Sequence, residues 1–204
     1  MEKPRKDTSC DHIGHGCTLT TVRVWDLIVR IFHWTVVLGV ILNYTVLEDG
    51  RAAHRYVGYA VASVVAVRIV WGFVGRSYAR FSTFVVSPRV FISHVTDMIR
   101  RRERRYVGHN PAGGWMIVTL LGVLSLLCMT GWMQTLDAFW GAEWLQEIHE
   151  ILANCLVLMA AVHVVAVLVE SVRHRENLIL AMFTGRKRPA AGDDIDHAHV
   201  ARRR

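Results

Sequence analysis

The sequence has little cysteine, with four residues among 204. Cys128 and Cys155 lie within long apolar stretches, where a thiol packs as a small apolar side chain. Cys10 and Cys17 lie in a polar N-terminal segment that we expect on the cytoplasmic side, where disulfides are rare. We therefore expect no disulfide framework.

Acidic residues are also few, with 17 Asp and Glu against 24 Lys and Arg, giving a net charge of +7. Such an excess can indicate nucleic acid binding, but the basic residues cluster in the ranges 1–26, 76–113 and 170–204. The two remaining connections are mainly acidic. This alternation follows the positive-inside rule of membrane proteins. We expect both termini in the cytoplasm and no nucleic acid partner.

Long apolar stretches are abundant, and hydrophobic residues make up 52% of the chain. They cover about 27–47, 56–75, 114–134 and 145–170, and each reaches the roughly 20 residues that a spanning helix needs. Residues 1–26 lack the apolar core of a signal peptide, so we expect the first span to direct insertion. The predicted fold is an all-α membrane protein, a bundle of four transmembrane helices in a bacterial inner membrane.

The connection after the second span contains a further predicted helix. Ser87-Pro88 is typical of a helix start, and apolar residues then follow at helical spacing. We predict a cytoplasmic amphipathic helix on the membrane surface, in contact with lipid, with one apolar face formed by Phe91, Val95, Met98 and Ile99. The predicted organisation is a flexible tail at 1–21, a membrane domain at 22–188 and a second flexible tail at 189–204.

Histidines near or within the spans carry the main functional signal, because polar residues in a membrane are costly and usually functional. His149 and His163 are 14 residues apart in the fourth span. That separation is about 40° short of four helical turns, so they share one face about 21 Å apart. Given the helix directions, His33 lies at the inner level with His163, and His54 at the outer level with His149.

Two imidazoles at one level across a helical bundle match the axial ligands of a six-coordinate haem iron. The motif Cys-x-x-Cys-His is absent, which excludes covalent c-type attachment and favours two non-covalent b haems. Two alternatives remain open. A single membrane histidine often only hydrogen-bonds a neighbouring helix, and zinc also binds histidine, although it prefers ligands clustered at one site.

Three further residues are predicted to contact a haem. Arg68 repeats the face of His54 at the inner level, where a haem propionate would pair with its charge. The alternative is that Arg68 snorkels to the membrane surface. Arg55 is predicted to pair in the same way with a propionate of the outer haem. Gly58 lies one turn after His54, where a small residue lets a porphyrin approach closely.

Cys10, His12, His15 and Cys17 have the composition of a metal site, although their spacing matches no established zinc motif. Whether they bind metal stays open. His94, His109 and His174 are expected at the inner surface, solvated or in contact with lipid headgroups.

As a set, the motifs resemble the bacterial cytochrome b-561 family, which includes the cytochrome b subunits of nickel–iron hydrogenases. The resemblance covers roughly residues 22–188. It is carried by Val24-Trp25-Asp26, Arg30-Ile31-Phe32-His33-Trp34, His54-Arg55-Tyr56-Val57-Gly58-Tyr59, Arg68-Ile69-Val70-Trp71-Gly72-Phe73-Val74-Gly75, Ala79-Arg80-Phe81-Ser82, Gly108-His109-Asn110-Pro111, His149-Glu150, His163 and His174-Arg175-Glu176-Asn177-Leu178.

The resemblance implies two bis-histidine b haems that move electrons between membrane quinone and a redox partner in a respiratory chain. His33, His54, His149 and His163 match the family's ligand positions. The implied partners are a c-type cytochrome, a hydrogenase or dehydrogenase subunit, or another periplasmic or membrane protein. A homodimer is a further expectation.

Alternative functions are a haem-bearing anchor subunit of a hydrogenase-like or dehydrogenase-like complex, and a small metal-handling or transport protein that uses histidine pairs. The sequence indicates no catalytic side chain, and it leaves open whether the chain is part of a quinone-linked oxidoreductase.

Overall fold

The computed structural model describes residues 21–47, 51–100 and 102–196. The predicted N-terminal tail with Cys10, His12, His15 and Cys17 lies outside these ranges. The helices are α1 (Leu27–Thr45), α2 (Ala52–Val74), α3 (Phe81–Phe84), α4 (Pro88–Ile99), α5 (Pro111–Met133), α6 (Glu143–Arg173) and α7 (Leu178–Thr184). Short 3₁₀ turns occupy Ser77–Ala79 and Asp137–Phe139, and an antiparallel pair joins β1 (Val22–Arg23) to β2 (Arg186–Lys187).

Four of these helices are long and apolar enough to cross a membrane, which confirms the predicted all-α membrane bundle. They are α1, α2, α5 and α6, with 19, 23, 23 and 31 residues. Most of their side chains face outward, as lipid-exposed helices require, since the interior of a bilayer is as apolar as a protein core. The spans begin and end within a few residues of the predicted limits.

The bundle is held together by close packing in the order α1, α2, α5, α6. Its buried centre contains Val61, Val65, Leu124 and Leu156. At Gly39 a Cβ atom would lie only 2.5 Å from Val61 Cγ2, so the absence of a side chain sets the approach of α1 to α2. The remaining side of the bundle, between α1 and α6, is bridged by a 2.8 Å hydrogen bond from the Tyr44 hydroxyl to Asn154 Oδ1.

One carboxylate fixes the start of α1 and the end of α2 at the same level, at the end of the bundle that is predicted to face the cytoplasm, which we call the inner end. Asp26 caps α1 by accepting a 2.9 Å hydrogen bond from the Val29 backbone N–H. Its second oxygen accepts a 2.8 Å hydrogen bond from Trp71 Nε1 near the end of α2. The start of one span is thereby tied to the end of the next, as two antiparallel neighbours require.

Helix α4 is present at Pro88–Ile99, where the sequence predicts it, with Ser87 as its N-cap. On this helix Ile99 is 79% exposed, whereas His94 is only 6% exposed. Phe91 directs the helix onto α5 through its ring contact with Trp115, at 5.9 Å between centroids. The expectation that His94 is solvated is therefore wrong. The location of α4 on a membrane surface stays a prediction.

A network of buried charges closes the inner end of the fold. Arg105 is 7% exposed and pairs with Glu176 at 3.0 Å and with Asp194 at 2.5 Å. Burial by itself would raise the pKa of the Glu176 carboxyl, but a hydrogen bond from the Arg188 N–H and the charges of Lys187 and Arg105 outweigh it and lower that pKa. Residues 189–196 of the predicted flexible tail therefore contact the rest of the fold.

Candidate functional site

The structure brings His54 and His149 together at the outer end of the bundle. His54 lies in the first turn of α2 and His149 in the second turn of α6. Their ring centroids are 6.3 Å apart, with ring planes at 62°. Two imidazoles bonded from opposite sides to one first-row metal, each at about 2 Å, place their centroids roughly 6 Å apart. This separation suits two axial ligands of one iron.

A hydroxyl next to His149 favours one tautomer of its ring. Thr130 Oγ1 donates to the Leu127 carbonyl at 3.0 Å and lies 2.9 Å from His149 Nδ1. A hydroxyl has one hydrogen, which the carbonyl takes, so Oγ1 must accept from Nδ1–H. The neutral ring then presents its Nε2 lone pair to a metal, as in other metal-binding histidines. Gly131 leaves room for this ring, since a Cβ there would lie 3.0 Å from His149 Cε1.

His33 on α1 and His163 on α6 lie within electrostatic range of each other at the inner end. His33 Nδ1 is buried and has no hydrogen-bond partner among the described residues. The edge of the Trp34 ring fixes the His33 ring from one side, at 5.0 Å between centroids. The inner pair therefore offers ring nitrogen that the protein itself leaves unsatisfied.

Arg68 is buried in the second half of α2, with an exposure of 3%. Its guanidinium lies over the Phe81 ring at 5.0 Å, and its Nη1 is a buried donor with no partner in the described part of the chain. A buried unpaired cationic donor is costly unless an anion satisfies it. The structure thus places Arg68 away from the surface that the snorkelling alternative needs, with a donor suited to a carboxylate.

His109 is a residue that the sequence reasoning missed. Its ring lies between Trp25 and Phe84, at 4.5 and 4.8 Å between centroids, and its Nδ1 is buried. Burial lowers the pKa of His109 to about 3, assisted by Lys187, Arg68 and His163. The expectation of a solvated His109 is wrong. The signal was its place in Gly108-His109-Asn110-Pro111, directly before a span, where a turn brings it back into the bundle.

The remaining predicted site residues lie at the outer end. Arg55 is exposed beside His54 at the start of α2. Gly58 is half-buried, and a Cβ at this position would meet only Asn43 Nδ2, at 4.0 Å. No described contact ties either residue to the histidine pair, so their roles in cofactor binding stay predictions. His174, expected among the surface histidines, has its Nε2 3.1 Å from Glu170 Oε2.

Four membrane-length helices with a histidine pair 6.3 Å apart near one end of the bundle are typical of a membrane protein that holds haem. The sequence model of prokaryotic cytochrome b561 matches residues 24–185, and the chain belongs to this family. It is a haem b electron-transfer protein of the bacterial membrane.

Curated relatives agree with this assignment. A probable Ni/Fe-hydrogenase B-type cytochrome subunit of Rhodobacter capsulatus is 23% identical over 82% of this chain and 82% of its own length. The protein of the same description from Bradyrhizobium diazoefficiens is 26% identical, over 82% of this chain and 86% of its own. A third, from Cupriavidus necator, is 23% identical over 85% and 89%. No solved structure matches the chain significantly.

Proposed function

We propose that the chain holds two b haems, the outer one between His54 and His149 and the inner one between His33 and His163. The single observation that carries this proposal is the 6.3 Å separation of the His54 and His149 rings, which suits two ligands of one iron. The ligand proposed for the inner haem on α6, His163, follows His149 by 14 residues, about 21 Å along the helix axis.

When bound, each haem would supply one-electron redox chemistry through its iron. The protein's own residues supply ligation, orientation and charge. Thr130 favours the tautomer of His149 whose lone pair lies on Nε2. Arg68 offers a buried cationic donor to an inner propionate, and neutral His109 adds a second buried nitrogen near the same place.

We further propose that the protein exchanges electrons between membrane quinone and a redox partner, in the manner of a hydrogenase cytochrome subunit. The names of the relatives support this partner class. A free-standing electron carrier is the alternative. Duroquinol added to the purified oxidised protein should reduce the haems, and a hydrogenase should copurify from the native membrane under mild detergent. Reduction without copurification would favour the free-standing carrier.

Four single alanine variants, at His33, His54, His149 and His163, test the pairing. We expect His33→Ala and His163→Ala to remove one low-spin electron paramagnetic resonance signal, and His54→Ala and His149→Ala to remove the other. Pyridine haemochrome analysis should give two haems per parent chain. His174→Ala is the matched control, and both signals should persist in it.

Two results would contradict the pairing. If His33→Ala and His54→Ala remove a common signal, one iron takes both ligands from the first two spans. If the purified parent contains no haem, the histidine pairs serve a different purpose, such as metal handling.

A further inference from the structure

We propose that Glu103, Glu170 and His174 form a binding site for a divalent transition metal ion of the zinc type, outside the haem-binding bundle. Glu103 lies in the connection that follows α4, and the other two residues lie at the C-terminal end of α6. One ligand atom from each residue falls within 4.8 Å of the other two. His174 is 11 residues beyond His163, about 16 Å along the axis, so this cluster is separate from the inner histidine pair.

The local fold brings the three side chains together. Glu170 and His174 are four residues apart, so they lie on one face of the helix end, with His174 Nε2 3.1 Å from Glu170 Oε2. Glu103 approaches from the other chain segment and is fixed by a 2.6 Å ion pair between its Oε1 and Arg173 Nη1. Arg173 in turn donates from Nη2 to the Met98 carbonyl at 3.0 Å, which anchors this pair to α4.

Two carboxylate oxygens in the cluster are buried and unsatisfied. Glu103 Oε2 and Glu170 Oε1 have no hydrogen-bond partner in the ranges that the structure describes. The Glu103 side chain is only 6% exposed, and that of Glu170 is 16% exposed. A buried carboxylate oxygen without a partner is strongly unfavourable, because its hydrogen bonds to water are lost and no protein donor replaces them. A cation between the two carboxylates would satisfy both oxygens at once.

The balance of charge also favours a divalent cation. The two carboxylates and the Arg173 guanidinium that pairs with one of them sum to one negative charge, and the nearby Lys187 is itself paired with Glu176 at 3.6 Å. The ion pair of Arg173 uses only one oxygen of Glu103 and leaves the second available. A residual negative charge in a largely buried place attracts a small cation more strongly than it would in water.

The ligand set indicates which cation. Calcium and magnesium prefer oxygen ligands alone, whereas zinc takes imidazole nitrogen together with carboxylate oxygen. Three protein ligands leave one tetrahedral position for water. Donors in a tetrahedral zinc site lie about 3.5 Å apart, so the side chains need to close by only about 1 Å from their present spacing. His94, whose buried Nε2 also lacks a partner among the described residues, lies near Glu103 and is within electrostatic reach of it.

Zinc binding to the haem-loaded protein tests the site. The experiment uses full-length protein in detergent, treated with a chelator, in a Cys10→Ser, Cys17→Ser background so that the N-terminal tail cannot bind the metal. Isothermal titration with Zn²⁺ should give one site per chain, and Mg²⁺ should not compete for it. Glu103→Gln and His174→Gln should each weaken binding by about tenfold or more. Glu150→Gln, an exposed carboxylate at the other end of α6, should leave it unchanged.

Haem content, measured on every sample, separates loss of the site from loss of the fold. If Glu103→Gln loses haem, the zinc affinity of His174→Gln tests the site instead, because the His174 side chain is more exposed and its replacement disturbs the fold less. Absence of zinc binding in the stripped parent would overturn the proposal, as would equal zinc affinity in all variants. A protonated-carboxyl infrared band that disappears in Glu103→Gln and persists with zinc present would show that the two carboxylates share a proton instead. Each result is independent of the number of haems.

Discussion

Removal of the Thr130 hydroxyl should weaken the outer haem site specifically. Thr130→Val keeps a closely similar shape but deletes the acceptor that lies 2.9 Å from His149 Nδ1. Thr130 is 6% exposed, so water does not readily replace the lost oxygen. The Nδ1–H of His149 is then left with one fewer partner, and the ring loses the contact that fixes its rotation about the Cβ–Cγ bond.

The magnitude follows from two separate estimates. A buried donor that loses its acceptor costs about 1–3 kcal/mol. That cost corresponds to roughly 5- to 150-fold in an equilibrium constant. Loss of an outer-shell partner of a metal-binding histidine typically costs about 10–100-fold in affinity. We therefore expect the outer haem to dissociate about 10–100-fold more readily. Its reduction potential should rise, because an imidazole that no longer donates from Nδ1 is a poorer electron donor to the oxidised iron.

The assay is a redox titration with electron paramagnetic resonance, combined with haem retention during dilution. Thr130→Ser is the matched control, because it keeps the hydroxyl and should keep both potential and affinity close to those of the parent. An unchanged outer haem in Thr130→Val would refute the inferred tautomer. A change confined to the inner haem would refute the assignment of His149 to the outer site.

Two further predictions concern charge. Arg68→Leu should lower the inner haem potential by on the order of tens of millivolts, since a nearby cation favours the reduced form, and Arg68→Lys should lower it less. Potentiometry of both variants measures this shift. Haem potentials identical to those of the parent would show that Arg68 pairs with no propionate. A reporter fused after Arg188 should be active only in the cytoplasm and one inserted at Gly50 only outside, as the distribution of basic residues predicts; the opposite activities would invert the assignment of inner and outer sites.

The spans and the depth of the histidines could be predicted because a membrane imposes strong rules on sequence. A spanning helix must be apolar over about 20 residues, and a stretch of that length with few charges can be recognised directly in the sequence. Helix periodicity then places His149 and His163 on one face without any knowledge of neighbours. The meeting of His54 with His149, at 6.3 Å, agrees with the depth at which helix direction places each of them.

The inner surface was harder to predict, because contacts between distant segments decide it. His94 looked like a surface histidine, but it is only 6% exposed, and its ring contacts the Tyr106 ring at 5.4 Å between centroids. Nothing local in the arginine-rich run 100–105 marks Arg105 as the residue that pairs with Glu176, 71 positions away. His109 was underestimated for the same reason, since its aromatic neighbours come from residues 25 and 84.

The proposed arrangement of two haems along α6 has a consequence for energy conversion. In that arrangement, an electron that passes from one haem to the other travels about 21 Å along the helix. The hydrocarbon core is about 30 Å thick, so this step crosses roughly 70% of the insulating layer. Each 100 mV of membrane potential then adds or removes about 1.6 kcal/mol from the transfer, from the full value of about 2.3 kcal/mol per charge. The direction in which electrons pass through this protein is therefore subject to the voltage of the membrane that holds it.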